Sequence, residues 1–214
     1  MKMMGNTRDE ACKRPYDLRK RQELTGHKRL KILAAARAQL ESNGFLHFTM
    51  ESLAHESGVT RQTVHNVFGT KGGVLEALFD ELARDAGLER MREVMQQADA
   101  EAMLAGFVEV FTTFWAKDRM LLKRIHGIAA IDSEFGSAVE GRNRRRKMAS
   151  MRIVERLGKR GTRNDDEESK RRIAALYAVT SFEFFDALAE VYGNTDEAAS
   201  SVLELVKRAF TAAP

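Results

Sequence analysis

The sequence predicts an all-α fold, with a three-helix N-terminal domain followed by a larger helical domain. Only 2 prolines occur, Pro15 and Pro214, and both lie near a chain end, so no proline interrupts the chain between them. Strong helix formers such as Ala, Leu, Glu, Arg and Lys recur throughout, and long runs of β-branched residues are absent. Apolar residues recur at helical spacing, as at Leu33, Ala36 and Leu40.

The composition is that of a soluble, globular protein. With 214 residues, 43% hydrophobic and 31% charged, the chain can bury the core of one or two domains. Cys12 is the only cysteine, which excludes an intrachain disulfide and a metal site built from several thiolates. No apolar run has the length of a signal peptide or of a membrane span of roughly 20 residues. We therefore expect a cytoplasmic protein with no membrane partner.

Residues 1–26 are predicted to form a flexible basic arm that ends at Thr25-Gly26. Basic residues outnumber acidic ones in this arm, although the formal net charge of the whole chain is only +4. A basic arm suits a polyanion such as DNA, while a solvated tail explains the same composition. The first predicted helix therefore begins at His27.

The segment from Thr49 to Phe68 has the pattern of two short helices joined by a tight turn. Thr49 and Thr60 are good N-caps for the two helices, and Ser57-Gly58-Val59 lies between them. Helices this short are stable only when they pack against each other and against the helix before them. This is the layout of a helix-turn-helix, whose second helix enters the major groove of DNA. We therefore predict a DNA-binding domain over residues 27–72.

The second helix of this motif is predicted to have one apolar side and one side that can read bases. Arg can donate two hydrogen bonds to guanine, while Gln and Asn can pair with adenine. Where Thr49 and Lys71 open helices, free backbone N–H groups favour phosphate, although threonines at helix starts also serve simply as caps. The predicted DNA-contacting residues are Thr49, Thr60, Arg61, Gln62, Thr63, His65, Asn66 and Lys71.

Residues about 28–79 resemble the DNA-binding domain of the tetracycline-repressor (TetR) family. The features that carry the resemblance, in order, are Gly44-Phe45, Thr49, Gly58-Val59, Phe68 and Lys71. The chain departs from the family pattern at three positions, where His65 replaces a tyrosine, Val67 a histidine and Gly72 a frequent glutamate. The two glycines at 72 and 73 are expected to loosen the start of the fourth helix.

Residues 73–214 resemble the family only in their layout of helices, predicted at 72–96, 99–116, 118–130, 133–158, 168–192 and 195–211. The resemblance implies a small-molecule cavity and a homodimer formed by the last two helices, with Val202, Leu205, Val206 and Ala209 on the interface side of the second. It also implies a palindromic double-stranded DNA operator, with half-sites about one helical turn apart. Repression, relieved by an unknown small-molecule effector, is the output that the resemblance favours.

The cavity is predicted from large or pliable apolar residues, which suit apolar ligands. Ordinary core packing explains the same residues. Glu183 is the polar candidate, with contact to a ligand, pairing across subunits and a solvated strip as the alternatives. The predicted pocket residues are Met95, Met103, Phe107, Phe111, Trp115, Phe135 and Glu183.

The basic run at 142–147 has three interpretations: a solvated helix face, which general frequencies favour, a nucleic-acid contact or a site for an anionic effector. No HExxH, CxxC, Walker or GxSxG pattern occurs, so we predict no catalytic residue, no metal site and no cofactor. The remaining alternative to a sequence-specific regulator is a non-specific, nucleoid-type DNA-binding protein. That alternative explains the basic residues but assigns no function to the C-terminal helices.

Overall fold

The computed structural model describes residues 14–42, 47–158 and 166–211 of the chain. These residues form α-helices, short turns and no strand, which confirms the predicted all-α fold. They divide into two compact units between Val74 and Leu75. The first unit contains α1 (Arg14–Ser42), α2 (Met50–Ser57), α3 (Arg61–Phe68) and the start of α4 (Lys71–Asp85). The second contains the rest of α4, α5 (Met91–Val94), α6 (Ala100–Lys117), α7 (Arg119–Ile131), α8 (Ser133–Gly158), α9 (Asp166–Val179), α10 (Phe182–Tyr192) and α11 (Thr195–Thr211).

The prediction of a flexible arm up to Gly26 is wrong from Arg14 onward, because α1 begins at Arg14 and runs through Gly26. The pair Thr25-Gly26 predicts a helix boundary, but a single glycine inside a helix costs only about 1 kcal/mol. The neighbouring residues are mostly good helix formers, so the helix continues. Residues 1–13 lie outside the described part of the chain.

The first unit is held by a small core between α1, α2 and α3. Helix α1 packs on α2, and α2 packs on α3. The buried side chains include Ile32, Leu40, Phe48, Leu53 and Val64. The predicted glycine-aromatic pair Gly44-Phe45 lies outside the described residues.

The second unit is built around α6, which packs against α8, α10 and α11. Helix α6 can pack on several sides because apolar residues cover most of its circumference. Met103, Phe107 and Phe114 are among them, and all three are fully or almost fully buried. From α11 the core receives Ala198, Val202, Val206 and Phe210. Val202 and Val206 therefore pack inside their own subunit, and the prediction that they face a second subunit is wrong.

Two predicted helices are broken in the structure. The helix predicted at 72–96 ends at Asp85, where Gly87 has a left-handed φ of 71° and a short 3₁₀ turn follows. The helix predicted at 168–192 is broken between α9 and α10. There Ser181 is the N-cap of α10, and its side chain accepts a hydrogen bond from the Phe184 amide. The apolar neighbours of Ser181 keep the helical spacing through the break, so the spacing alone predicts one continuous helix.

Candidate DNA-binding face and ligand cavity

Thr49 begins α2 with a complete capping box. Its Oγ1 accepts a hydrogen bond from the Ser52 amide at 3.1 Å, and its own amide donates to Ser52 Oγ at 3.0 Å. Ser52 Oγ also lies 3.1 Å from Oε1 of the buried Gln39 of α1. The start of α2 is therefore fixed both to its own backbone and to the first helix.

Gly58 makes the turn between α2 and α3. Its φ of 67° lies in the left-handed region, which a residue with a side chain rarely adopts. The amides of Gly58 and Val59 donate to His55 and Ala54 carbonyls and so close the end of α2. Thr60 then caps α3, with Oγ1 accepting from the Thr63 amide at 3.1 Å. The structure thus contains the predicted helix-turn-helix.

Helix α3 turns one side to the core and the other to solvent. Val64 is completely buried between its neighbours. The exposed positions carry the side chains predicted to read bases, with Thr63 partly covered. They are Arg61, Gln62, His65 and Asn66.

The two amide side chains on the exposed face of α3 contact each other. Gln62 Nε2 donates to Asn66 Oδ1 at 2.8 Å, as the spacing of four residues allows. This bond leaves the Gln62 Oε1 and the Asn66 amide nitrogen free to meet a base, and it fixes the direction in which both point. The side chains of the two predicted base readers are therefore oriented together.

Arg61 is held by an acidic residue of the preceding helix. Its Nε lies 2.7 Å from Oε1 of Glu51, and both side chains are mostly exposed. An exposed pair of this kind contributes little to the free energy of unfolding. It does, however, place a negative charge beside a predicted DNA contact.

The start of α4 is packed closely against the end of α3. Thr70 Oγ1 accepts from the Gly73 amide at 3.1 Å, and a Cβ at Gly73 would lie 2.2 Å from the Phe68 carbonyl oxygen. The glycine at 73 therefore permits a close approach rather than merely loosening the helix. Lys71, half-buried, is the first residue of α4.

The second unit contains a cavity of about 260 Å³ between α4, α6, α7 and α8. Three of the predicted pocket residues, Phe107, Phe111 and Trp115, line it on successive turns of α6. The Phe107 and Phe111 rings contact edge to face at 5.1 Å, and the Phe111 and Trp115 rings stack at 5.8 Å. One wall of the cavity is therefore a continuous aromatic surface.

A second wall comes from α8 and is largely polar. It contains Arg142, Asn143, Arg145 and Arg146, which belong to the basic run. Arg142 donates to Asp80 Oδ1 at 2.6 Å, whereas Arg146 is 5% exposed and donates to the Tyr177 carbonyl oxygen. The interpretation of this run as a solvated helix face is wrong for Arg142 and Arg146.

His126 of α7 also lines the cavity, with its ring edge to face against Trp115 at 5.7 Å. Its Nδ1 lies 3.0 Å from Oε1 of Glu183, and this hydrogen bond lowers the pKa of Glu183 to about 2. Glu183 itself is mostly exposed and is connected to the cavity only through the histidine. Its neighbour Asp186 pairs with Arg119 and Lys123 of its own chain.

The other predicted pocket residues lie elsewhere. Met103 and Phe135 are fully buried in the core and do not line the cavity. Met95 lines a separate shallow depression beside Met148 and Met151. Large apolar side chains fill both core and cavity walls, so residue type alone does not distinguish the two roles.

Sequence reasoning missed His126 as a cavity residue, and it offered an anionic-effector site only as one of three interpretations of the basic run that contains Arg146. A signal for Arg146 exists in the spacing of α8. Arg142 and Arg146 continue the buried stripe of Phe135 and Val139 at helical intervals, and Ser150 and Ile153 extend it. A charged residue at a position of the buried apolar stripe indicates that its side chain points into the protein.

The described residues contain no group of three or more His, Cys, Asp or Glu that could hold a metal ion. Among the helices of the described chain, none is both long and apolar enough to cross a membrane.

Residues 32–78 match the model of the bacterial regulatory proteins of the tetR family. No curated protein sequence matches the chain significantly. Solved structures share its fold at low sequence identity. A TetR transcription regulator from Haloarcula marismortui is 17% identical, with a TM-score of 0.67 over 87% of this chain and 97% of that one. NalD, the secondary repressor of the MexAB-OprM multidrug efflux pump in Pseudomonas aeruginosa, is 20% identical, with a TM-score of 0.60 over 86% of this chain and 96% of that one.

A helix-turn-helix with an exposed polar second helix, followed by a helical unit, defines a DNA-binding transcriptional regulator. The N-terminal domain, over residues 32–78, is that of the tetR family of bacterial regulatory proteins. The described chain as a whole has the fold of solved TetR-family transcriptional regulators.

Proposed function

We propose that the protein is a homodimeric repressor that binds a palindromic DNA operator and is released by a small molecule. The observation that carries the proposal is the exposed face of α3, which bears Arg61, Gln62, His65 and Asn66. The buried Val64 anchors the other side of the same helix in the core. Donors and acceptors on such a face are what reading base edges in the major groove requires. Because its partner is the operator, we place its action in the cytoplasm.

The proposal assigns different tasks to the predicted contacts. The side chains of Arg61, Gln62 and Asn66 read bases, with Thr63 and His65 beside them. Thr49, Thr60 and Lys71 lie at the starts of α2, α3 and α4, where backbone N–H groups and the helix dipole favour a phosphate. Phosphate contacts position the helix without selecting a sequence.

The dimer face proposed here lies on α10 and α11. Phe184, Ala187, Leu188 and Val191 form one stripe at helical spacing, and each is half-buried or exposed within the single chain. Val191 is 81% exposed and Leu205 of α11 44% exposed, which is costly for apolar side chains unless a partner covers them. A second copy of the same face completes a four-helix contact with two-fold symmetry.

The dimer is tested by sedimentation of the variant Val191→Glu combined with Leu205→Glu. A charge at each position should shift the protein from dimer to monomer, because the carboxylates lose water in the interface. The control is Ile131→Glu, which replaces an equally exposed apolar residue of α7. Unchanged sedimentation of the double variant would place the interface elsewhere.

Release by a ligand is supported by the bonds between the cavity and this face. Trp115 Nε1 donates to the Thr180 carbonyl oxygen at 3.1 Å, and His126 contacts Glu183 of α10. A ligand that moves these side chains changes the position of α10, and with it the separation of the two DNA-binding domains in the dimer.

Fluorescence anisotropy with labelled duplexes from the upstream region of its own gene tests the whole proposal. A scrambled duplex is the control, and each titration is run at two salt concentrations. Tight binding to one duplex that survives moderate salt supports the sequence-specific repressor. Equal and salt-sensitive binding to every duplex would instead support the nucleoid-type alternative.

A further inference from the structure

Arg146 is a buried charge that no carboxylate of the described residues neutralises directly. Its guanidinium donates to the Tyr177 carbonyl, to Thr180 Oγ1 at 3.2 Å and to Asn143 Oδ1 at 3.4 Å, all of them neutral acceptors. No carboxylate of the described residues lies within ion-pair distance of it. Burial lowers the pKa of the Arg146 guanidinium, and the attraction of Tyr177 and the more distant Glu183 opposes this. A buried cation without an adjacent anion is costly.

Two buried polar atoms among the described residues have no hydrogen-bond partner, and both belong to side chains that line the same cavity. They are Nε of Arg146 and Nε2 of His126. Buried polar atoms are paired in the great majority of cases, so two exceptions at one cavity point to a group that binds there. His126 already contacts Glu183 through Nδ1, which leaves Nε2 as its free side.

The charge of the cavity wall is predominantly positive. Its lining includes three arginines, Arg142, Arg145 and Arg146, and a single acidic residue, Asp80, which Arg142 already pairs with. Two arginines therefore remain uncompensated by any acidic lining residue. Such a wall attracts anions and disfavours cations.

The rest of the lining is apolar. Phe107, Phe111 and Trp115 form the aromatic wall, and Leu88 and Met91 complete it. Methionine and aromatic side chains adapt to apolar ligands of different shape. A cavity of about 260 Å³ holds a small organic molecule rather than a peptide or a nucleotide cofactor.

We propose that the effector is a small organic carboxylate with an apolar body, its carboxylate bound by Arg146 and His126 and its body lying on the aromatic wall of α6. This inference rests on the proposed function, because it names the chemical class of the ligand of that cavity. A carboxylate accepts from Arg146 Nε, and it accepts from His126 Nε2 when the imidazole carries a proton on both ring nitrogens, because Nδ1 already donates to Glu183. Such a ligand satisfies both buried atoms.

The direct test uses Trp115, the only tryptophan, as a fluorescent reporter in the cavity wall. The full-length protein without DNA is titrated with 4-phenylbutyrate, 4-phenylbutyramide and 4-phenylbutylamine, which share a body and differ in charge. The carboxylate should bind at least about tenfold more tightly than the amide, the ratio expected of a charge-assisted hydrogen bond. The amine should bind most weakly.

Two variants locate the carboxylate. Arg146→Gln removes the charge and should abolish the preference for carboxylate over amide. Arg144→Gln, an exposed arginine of the same run that pairs with Glu140, should retain it. If Arg146→Gln fails to fold by circular dichroism, His126→Gln takes its place and should reduce the preference severalfold.

Equal binding of carboxylate and amide, preference for the amine, or no quenching by any of the three would overturn the inference. None of these results bears on operator binding, which is measured separately by anisotropy. A carboxylate preference without any effect on operator affinity would support the carboxylate site and contradict ligand release. The failures of the two proposals are therefore distinguishable.

Discussion

Arg146 of α8 donates a hydrogen bond to Thr180 Oγ1 at 3.2 Å, across the break that separates α9 from α10. The carbonyl oxygen of the same threonine accepts from Trp115 Nε1. Thr180 is almost fully buried and lies just before the N-cap of α10. A polar wall and an aromatic wall of the cavity thus meet at one residue, next to the helix that bears the proposed dimer face.

The contribution of this contact to stability can be measured with Thr180→Val. The substitution removes the hydroxyl acceptor of Arg146 with little change in shape, and we expect a loss of about 1 kcal/mol in the free energy of unfolding. Urea denaturation measures it. Thr113→Val, which changes an exposed threonine of α6, is the control and should leave stability nearly unchanged. Equal effects of the two substitutions would show that the Thr180 hydroxyl contributes nothing.

Gln62 and Asn66 should affect DNA discrimination as a unit. Each alanine substitution removes one base contact and also the bond that orients the other amide, so the two effects should not add. Operator variants and anisotropy give the single and double effects. Lys71→Ala should weaken binding to all duplexes about equally. Additive losses at 62 and 66 would mean that the amide–amide bond is absent in the complex.

Glu51→Gln should strengthen binding to DNA severalfold, because it removes a negative charge beside the phosphates and releases Arg61. The gain should shrink as salt is raised, which the same anisotropy titration detects. Glu56→Gln removes an exposed carboxylate from the same helix and is the comparison for a general charge effect. If both substitutions strengthen binding to the same degree, the ion pair with Arg61 is not the cause.

Gly73→Ala should destabilise the DNA-binding unit by about 1–3 kcal/mol, because the added methyl group overlaps the Phe68 carbonyl. At Gly26 of α1 a Cβ meets nothing within 4 Å, so Gly26→Ala should stabilise by up to about 1 kcal/mol. Thermal unfolding followed by circular dichroism compares the two. A stabilising alanine at 73 would show that α3 and α4 do not approach this closely.

The Glu183 carboxylate should make stability depend on pH in the acidic range. The hydrogen bond with His126 lowers the pKa of Glu183 from its ordinary 4.5 to about 2, so the folded state favours the ionised carboxylate. This contribution is complete above pH 4.5 and is lost as the pH falls toward 2.

The melting temperatures of the wild type and of Glu183→Gln should therefore converge as the pH falls from 4.5 toward 2. Glu93→Gln, an exposed carboxylate on α5, is the control. A constant difference between wild type and Glu183→Gln at every pH would contradict the ionic contribution.

The DNA-binding face was predictable because the signals that specify it are local. Thr49, Gly58 and Thr60 each determine a cap or a turn through bonds to residues three or four positions away, and those bonds are present in the structure. Val64 is apolar between polar neighbours, which determines the inward side of α3. No distant part of the chain is needed for any of these features.

Glycine positions show where local signals for the end of a helix become ambiguous. Gly26 and Gly87 are the same type of residue, yet a helix runs through Gly26 and another helix ends before Gly87. Whether a glycine ends a helix depends on the packing of the flanking residues, which sequence spacing does not reveal.

The helix-turn-helix follows from the amino-acid sequence alone, because caps, a left-handed glycine and one buried valine act over a single turn of chain. The chemical character of the cavity depends instead on how distant helices pack. Arg146 in a basic run is a solvated residue by frequency, and it becomes a buried cation because α8 turns that face toward Thr180, some 34 residues later in the chain. Desolvation and unpaired donors arise from such distant contacts, and no local pattern carries them.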